Sequence, residues 1–190
     1  MAKPRILVFA GSIRTGAFSQ KLAAFAAKEL SLLDADTSFI SLADYPMPLY
    51  DGDYEAREGA PENARKLRRM ILAHRGVFIA TPEYNASTPP LLKNALDWVS
   101  RAKEPAADPF KGRYFAIGST SNGRLGGYRA LIALRQVLEL GLGALVLPEQ
   151  VAVSEAAQAF DDGGGMRDGR VADFLRAGLR RLIALAESEL

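Results

Sequence analysis

The chain has 190 residues, enough for one hydrophobic core, and no linker divides it, so we expect a single domain over residues 1–190. Its 24 basic and 22 acidic residues leave a net charge of +2, too small an imbalance to indicate nucleic-acid binding. The absence of cysteine excludes disulfides, thiolate metal sites and dithiol redox chemistry, so a redox function would require a bound cofactor.

No apolar run in the sequence is long enough to span a bilayer. The run that follows the basic start, Ile6 to Ala10, is also too short for the apolar part of a secretion signal. We therefore expect a cytoplasmic protein with no membrane partner.

The first predicted strand, Ile6–Ala10, leads into a loop that carries the chemistry of a phosphate site. Gly11 allows a sharp turn, Ser12 supplies a hydroxyl, and Arg14 adds a positive charge with several donors. A helix with apolar positions at the helical period follows, and Ser19 is the residue expected to cap it. The free N–H groups at its start would then face the loop. Together these features predict a phosphate-binding loop.

Two better-known phosphate loops do not match. A nucleotide-triphosphate loop needs a lysine and a hydroxyl where Ala17 and Phe18 stand, and a dinucleotide loop needs a glycine where Ile13 stands. A monophosphate held by hydroxyls, Arg14 and backbone amides remains. An ordinary strand-to-helix turn that happens to contain serine and arginine is the alternative, and the loop alone leaves it open.

The next elements are a strand, a long loop and a helix. The second strand is predicted at Thr37–Leu42, and the loop from Ala43 to about Ala60 has a length typical of segments that cover a site or an interface. Pro61 opens the following helix. His74, the only histidine, falls in its last predicted turn, where a favourable interaction with the helix dipole is a simpler explanation than catalysis.

The rest of the chain alternates three more strands with helices. Pro82 ends the third strand, Pro89 or Pro90 opens the helix after it, and Pro148 indicates that the fifth strand is irregular or at an edge. The final helix turns Phe174 inward together with Leu175 and Leu179. The predicted bounds are Gly76–Thr81, Arg113–Ser119 and about Ala144–Val153 for the strands, and Val171–Leu190 for the last helix.

Strands that alternate with helices predict an α/β fold with a parallel sheet covered on both faces. In such sheets, ligands bind at the carboxyl ends of the strands, near the point where the strand order reverses. If the order is 2-1-3-4-5, the loops after strands one, three and four are neighbours. They could then surround one ligand that has a phosphate at one end and a flat ring at the other.

Two motifs give the chain a family resemblance. The first is Gly11-Ser-Ile-Arg14 with Ser19, and the second, which is more specific, is Thr81-Pro-Glu-Tyr-Asn-Ala-Ser87 followed by Pro89 and Leu92-Lys-Asn-Ala-Leu-Asp-Trp98. Both resemble the flavodoxin-like NADPH-dependent FMN reductases, which include quinone, azo-dye and chromate reductases. With weaker matches at 46–51 and 119–130, the resemblance covers nearly the whole chain. Ala17 departs from it, because many members carry a further serine there.

The resemblance implies a flavodoxin-like three-layer sandwich with a five-stranded parallel sheet in the order 2-1-3-4-5 and non-covalent FMN. It also implies a ping-pong reaction in which NADPH or NADH reduces the FMN and a quinone, azo compound or other small electron acceptor reoxidises it. A homodimer or homotetramer is expected, with no metal and no catalytic side chain. The implied ligands of the FMN phosphate are Ser12, Arg14, Ser19 and Gln20. The implied contacts of its ring are Pro82, Glu83, Tyr84, Asn85, Ser119, Thr120, Ser121 and Gly123.

Two other functions fit the same architecture. A flavodoxin-type electron carrier would bind FMN without oxidising nicotinamide, but the net charge of +2 and Arg14 are unlike the strongly acidic carriers. A cofactor-free signalling or scaffold domain is the second. A phosphorylated receiver domain would need an aspartate at the end of strand three, where Thr81 and Pro82 stand.

Overall fold

The computed structural model describes residues 3–103 and 106–188, and within them five strands form one parallel sheet with helices on both faces. The predicted end of the last helix, Leu190, lies outside the described residues. The strands are β1 Arg5–Ala10, β2 Asp36–Ile40, β3 Gly76–Pro82, β4 Tyr114–Thr120 and β5 Leu145–Val153. The helices are α1 Phe18–Leu32, α2 Gly52–Glu58, α3 Glu62–Leu72, α4 Pro90–Arg101, α5 Tyr128–Gln136 and α6 Gly169–Glu187.

The strand order is β2-β1-β3-β4-β5, and every pair is parallel, which confirms the predicted topology. The inner strands β1, β3 and β4 are almost entirely buried because both of their faces are covered. Such strands are expected to be continuous apolar runs, as Ile6–Ala10 is.

Alternate residues of each strand enter two different cores. Ile6 and Val8 pack with α1 and α6 on one face of the sheet. Leu7 and Phe9 pack with α3, α4 and α5 on the other. The chain is therefore a three-layer sandwich whose helices cover the faces and leave the loops at the strand ends exposed.

β5 is an edge strand with an irregularity, as Pro148 predicted. The partner of Phe115 is Val146, whereas the partner of Ile117 is Gln150. The chain thus advances four residues along β5 where it advances two along β4. Pro148 lies within this bulge, where its missing N–H costs no ladder hydrogen bond.

Three predictions about local structure were wrong. The segment Ala43–Ala60 is not all loop, because it contains α2 and a short 3₁₀ turn at Leu42–Asp44. Phe174 does not face inward; 49% of it is exposed, and Ala172 and Leu175 occupy the buried side of α6. His74 lies just beyond the end of α3 and not in its last turn.

The 43–60 segment packs onto α4. The Trp98 indole, fully buried, donates to the Pro48 carbonyl at 2.7 Å, and the Asn94 amide donates to the same oxygen at 2.9 Å. Trp98 is thus a core residue that fixes the 43–60 segment to α4. None of the helices in the described ranges combines the length and the apolar character that crossing a membrane requires.

Candidate functional site

The strand order brings together the three loops that follow the carboxyl ends of β1, β3 and β4. The Gly11 amide, just past β1, donates to the Ala80 carbonyl of β3 at 2.8 Å, and Pro82 at the end of β3 pairs with Thr120 at the end of β4. A Cβ at Gly11 would approach the Leu92 side chain of α4 within 2.9 Å, so this close packing of the loop on α4 favours glycine. The predicted site residues on the three loops therefore lie along one continuous edge.

The first loop is held in shape by its own atoms. The Ser12 hydroxyl accepts from the Arg14 amide at 3.3 Å, and the Ala17 amide donates to the Arg14 carbonyl at 3.0 Å. The Gln20 side-chain amide donates to the Ser12 carbonyl at 3.0 Å, so this group supports the loop from α1. These hydrogen bonds thus fix the backbone conformation of the loop without any ligand.

Ser19 is not the helix cap that the sequence predicted. α1 begins at Phe18, one residue before Ser19, and Ala17 holds the cap position without a side-chain hydrogen bond. Ser19 instead sits in the first turn and is fully buried, and its hydroxyl has no hydrogen-bond partner within the structure. A buried hydroxyl without a partner costs about 1–3 kcal/mol, so its presence beside a helix start indicates a polar ligand.

The other donors near Ser19 suit an anion. The Gln20 and Lys21 amides are the first of α1 to bond within the chain, both to the Ala17 carbonyl, so the Phe18 and Ser19 amides remain at the open end of the helix. The Arg14 side chain is exposed, and its guanidinium donates to the Thr15 carbonyl at 3.4 Å. No carboxylate of the described ranges pairs with it. Hydroxyl, amides and guanidinium together fit a phosphate group.

The second loop is a tight turn after β3. The Tyr84 and Ser87 backbones exchange two hydrogen bonds of 3.0 Å, and Asn85 and Ala86 between them have φ of 49° and 64°. Tyr84 is 47% exposed at the tip. The loop therefore presents a rigid backbone and an aromatic side chain that could lie against a flat ring.

Glu83 connects the second loop to the third. Its carboxylate accepts from the Arg129 guanidinium and, at 3.2 Å, from the Arg129 amide in the first turn of α5. Only 8% of the Glu83 side chain is exposed. Glu83 thus faces α5 and anchors its loop. Arg129 lies 46 residues from Glu83 in the sequence, so no local signal predicts this pair.

The third loop, Ser121–Gly127, uses its hydroxyls internally. The Ser119 hydroxyl, fully buried, donates to the Gly126 carbonyl at 2.8 Å, and the Ser121 hydroxyl accepts from the Gly123 amide at 3.1 Å. Gly126 has a φ of 60° and lies so close to β5 that a Cβ would approach its backbone within 2.8 Å. Ser119 and buried Thr120 therefore form the wall of the edge, and Ser121 and Gly123 lie in the loop above it.

His74 lies just before β3, at the amino ends of the strands and away from the three loops. Its Nδ1 is 2.6 Å from the Met70 carbonyl, and its Nε2 is 2.8 Å from the Ser38 hydroxyl. Burial lowers the pKa of His74, so the ring is neutral at pH 7 and makes no charge interaction with the helix dipole. In the described ranges no group of three or more histidine, aspartate or glutamate side chains is arranged to hold a metal ion.

Comparisons with known proteins agree with the geometry. The model of the NADPH-dependent FMN reductase family matches residues 4–158. An NAD(P)H-dependent FMN reductase of Pseudomonas aeruginosa is 37% identical over 180 residues, 94% of this chain and 92% of that protein. A quinone reductase of Escherichia coli is 37% identical over 145 residues, 76% and 74% of the two chains. The solved structure of the flavoenzyme FerB, an NAD(P)H:(acceptor) oxidoreductase from Paracoccus denitrificans, is similar with a TM-score of 0.79, 28% identity and 97% coverage of both chains.

Proposed function

This chain belongs to the NADPH-dependent FMN reductase family, and we propose that it is an NAD(P)H-dependent oxidoreductase that binds FMN and reduces a quinone, azo compound or similar small acceptor. The observation that carries this proposal is the buried Ser19 hydroxyl without a partner in the first turn of α1, on the loop that also carries the exposed Arg14. The Ser19 hydroxyl lacks an acceptor, which a phosphate monoester would supply.

The first loop would hold the FMN phosphate. Ser19 donates its hydroxyl, the open amides of the first turn of α1 donate along the helix axis, and Arg14 closes over the outer oxygens. The Ser12 hydroxyl faces the same loop, and Gln20 contributes by holding the Ser12 carbonyl in place. Ala17 supplies no hydroxyl, so the phosphate is held by Ser12 and Ser19 without the third serine that many members have.

The second and third loops would hold the flavin ring. The Glu83 and Asn85 amides would bond the polar edge of the ring, because Pro82 has no N–H and the Tyr84 amide donates to the Ser87 carbonyl. The Tyr84 side chain would bound the pocket. The segment Ser119 to Gly123 forms the other wall, where small residues let the chain approach a ring closely. The ion pair between Glu83 and Arg129 keeps these two walls at a fixed separation.

FMN, when bound, supplies the redox chemistry by accepting hydride from NAD(P)H and passing electrons to an acceptor in a ping-pong sequence. The protein contributes binding and electrostatics. The free backbone amides of the second loop would stabilise negative charge on the pyrimidine side of a bound flavin, and the open ends of the strands would give the electron donor and the acceptor access in turn. No side chain is assigned as a proton donor or acceptor.

Steady-state turnover tests this function against its two rivals. Purified protein loaded with FMN should oxidise NADPH or NADH continuously when benzoquinone is present. A protein that retains FMN but shows no turnover would be an electron carrier. A protein that binds no added FMN would be a scaffold domain, and either result would contradict the proposal.

We further propose that the protein is a homodimer or homotetramer. The outer face of α5 supports this, because Tyr128 and Ile132 are 46% and 54% exposed one turn apart, close to the third loop. Light scattering coupled to size-exclusion chromatography measures the assembly directly, and a monomeric mass would contradict it. A cytoplasmic location stays a prediction.

A further inference from the structure

A cavity of about 570 Å³ lies beside the first loop, on the side of β2. Its walls are the loop itself, the first two turns of α1, the end of β2 and the turn after β2. Ala17 and Ala24 keep it open because their side chains are small. The flavin ring loops lie over β3 and β4, on the far side of β1, so the proposed ring site does not extend into this cavity. Ser12 and Gln20 of the proposed phosphate site also line it, so the cavity adjoins the FMN phosphate.

The cavity contains three kinds of group that suit a purine nucleotide. Phe39, which is 50% exposed on the edge strand, presents an aromatic surface. The Lys21 ammonium lies 5.8 Å from the centre of the Phe18 ring and forms no ion pair in the part of the chain that the structure describes. The Asp44 carboxylate likewise has no hydrogen bond or ion pair within those ranges. A base, a phosphate and a ribose would satisfy these groups in turn.

The position of the cavity relates it to the proposed reaction. Along the carboxyl edge of the sheet the ring loops come first, then the phosphate loop with exposed Arg14, then the cavity over β2. Neighbouring strands are about 4.8 Å apart, so β2 lies roughly 10 Å from β3. A dinucleotide whose nicotinamide lies on the flavin ring must extend its adenosine beyond the ring, and this edge offers a continuous path.

We propose that the cavity receives the adenosine half of NAD(P)H, an inference that rests on the proposed function. The adenine stacks on Phe39, the ribose hydroxyls donate to Asp44, and the adenosine 5′-phosphate pairs with Lys21. In dinucleotide-binding sheets an acidic residue that follows the second strand also bonds the ribose 2′-hydroxyl. Asp44 lies in the turn after β2 and can act in this way, although the first loop lacks the glycines of that fold.

Asp44 has a consequence for the choice of coenzyme. A carboxylate that accepts from the ribose 2′-hydroxyl repels a phosphate at the same position. Replacing Asp44 with asparagine should therefore raise the affinity for 2′,5′-ADP relative to 5′-AMP, since these two ligands differ only in the 2′-phosphate.

Isothermal titration of 5′-AMP and 2′,5′-ADP into the protein, with and without FMN, tests the site directly. We expect 5′-AMP to bind without releasing FMN and to compete with NADPH. Lys21→Ala should weaken its binding about 5-fold, the scale of one exposed charge pair, and Phe39→Ala should also weaken it. Lys28→Ala, two turns further along α1 and outside this cavity, is the matched control and should leave binding unchanged.

Three results would overturn the inference. These are no binding of 5′-AMP, binding that Lys21→Ala and Phe39→Ala leave unaltered, and binding that releases FMN, which would place the flavin phosphate in this cavity. If the protein fails to bind FMN at all, the proposed function fails, whereas titration of the FMN-free protein still reports whether the cavity binds adenosine phosphates.

Discussion

Replacing Ser19 with alanine should have opposite effects on the FMN-free and the FMN-bound protein. In the FMN-free protein the Ser19 hydroxyl is buried without a partner, which costs about 1–3 kcal/mol. Alanine removes that hydroxyl and keeps the helix, so the free energy of unfolding should stay the same or rise by about 1 kcal/mol.

The same substitution should weaken FMN binding. A hydrogen bond to a charged phosphate contributes about 1.5–3 kcal/mol, so the Kd of Ser19→Ala for FMN should rise roughly 10- to 150-fold. Urea denaturation of the FMN-free protein measures the first effect, and quenching of flavin fluorescence measures the second.

Ser31→Ala is the control for Ser19→Ala. Ser31 lies in the last turn of α1, where its exposed hydroxyl donates to the Ala27 carbonyl at 3.0 Å, far from the first loop. It should leave FMN binding unchanged. If Ser19→Ala destabilises the FMN-free protein by more than 1 kcal/mol and binds FMN normally, the hydroxyl has a structural role and the phosphate is bound elsewhere.

Other substitutions and pH test separate parts of the account. Arg14→Ala should weaken FMN binding by about 1–3 kcal/mol, and Arg14→Lys by less, because lysine keeps the charge but not the planar set of donors; an unchanged Kd would contradict the placement of the phosphate. Glu83→Gln should weaken FMN binding about 5-fold through the loss of its pair with Arg129, with Glu58→Gln on exposed α2 as the unaffected control. The free energy of unfolding should fall as the pH drops below 6.5, because burial lowers the pKa of His74 and the unfolded chain takes up its proton first; stability that stays flat or rises over this range would refute that burial effect.

The framework of the site could be predicted because its signals are local. The apolar run Ile6–Ala10, the Gly11 turn and the period of α1 stand next to one another in the sequence and required no tertiary information. The strand order followed from the same signals with the family resemblance. Pro148 marked the irregular edge strand because proline has one clear effect on a ladder.

The details that the sequence did not predict depend on distant contacts. α2 has no buried residue, and contacts outside it hold it, including Arg101 paired with Glu55 at 2.9 Å across 46 positions. Ser19 has a favourable capping side chain, yet burial against the sheet places it inside the first turn. The pairing of Glu83 with Arg129, and the cavity that Asp44 and Lys21 both line, likewise arise only when the strands assemble.

Anaerobic titration of the FMN-loaded protein with NADPH shows whether nicotinamide reduces the bound flavin. We expect one equivalent of NADPH to bleach the flavin absorption and benzoquinone to restore it, with the FMN still bound. A protein that takes up no FMN, or whose flavin stays oxidised with both NADPH and NADH in excess, would contradict the proposed function.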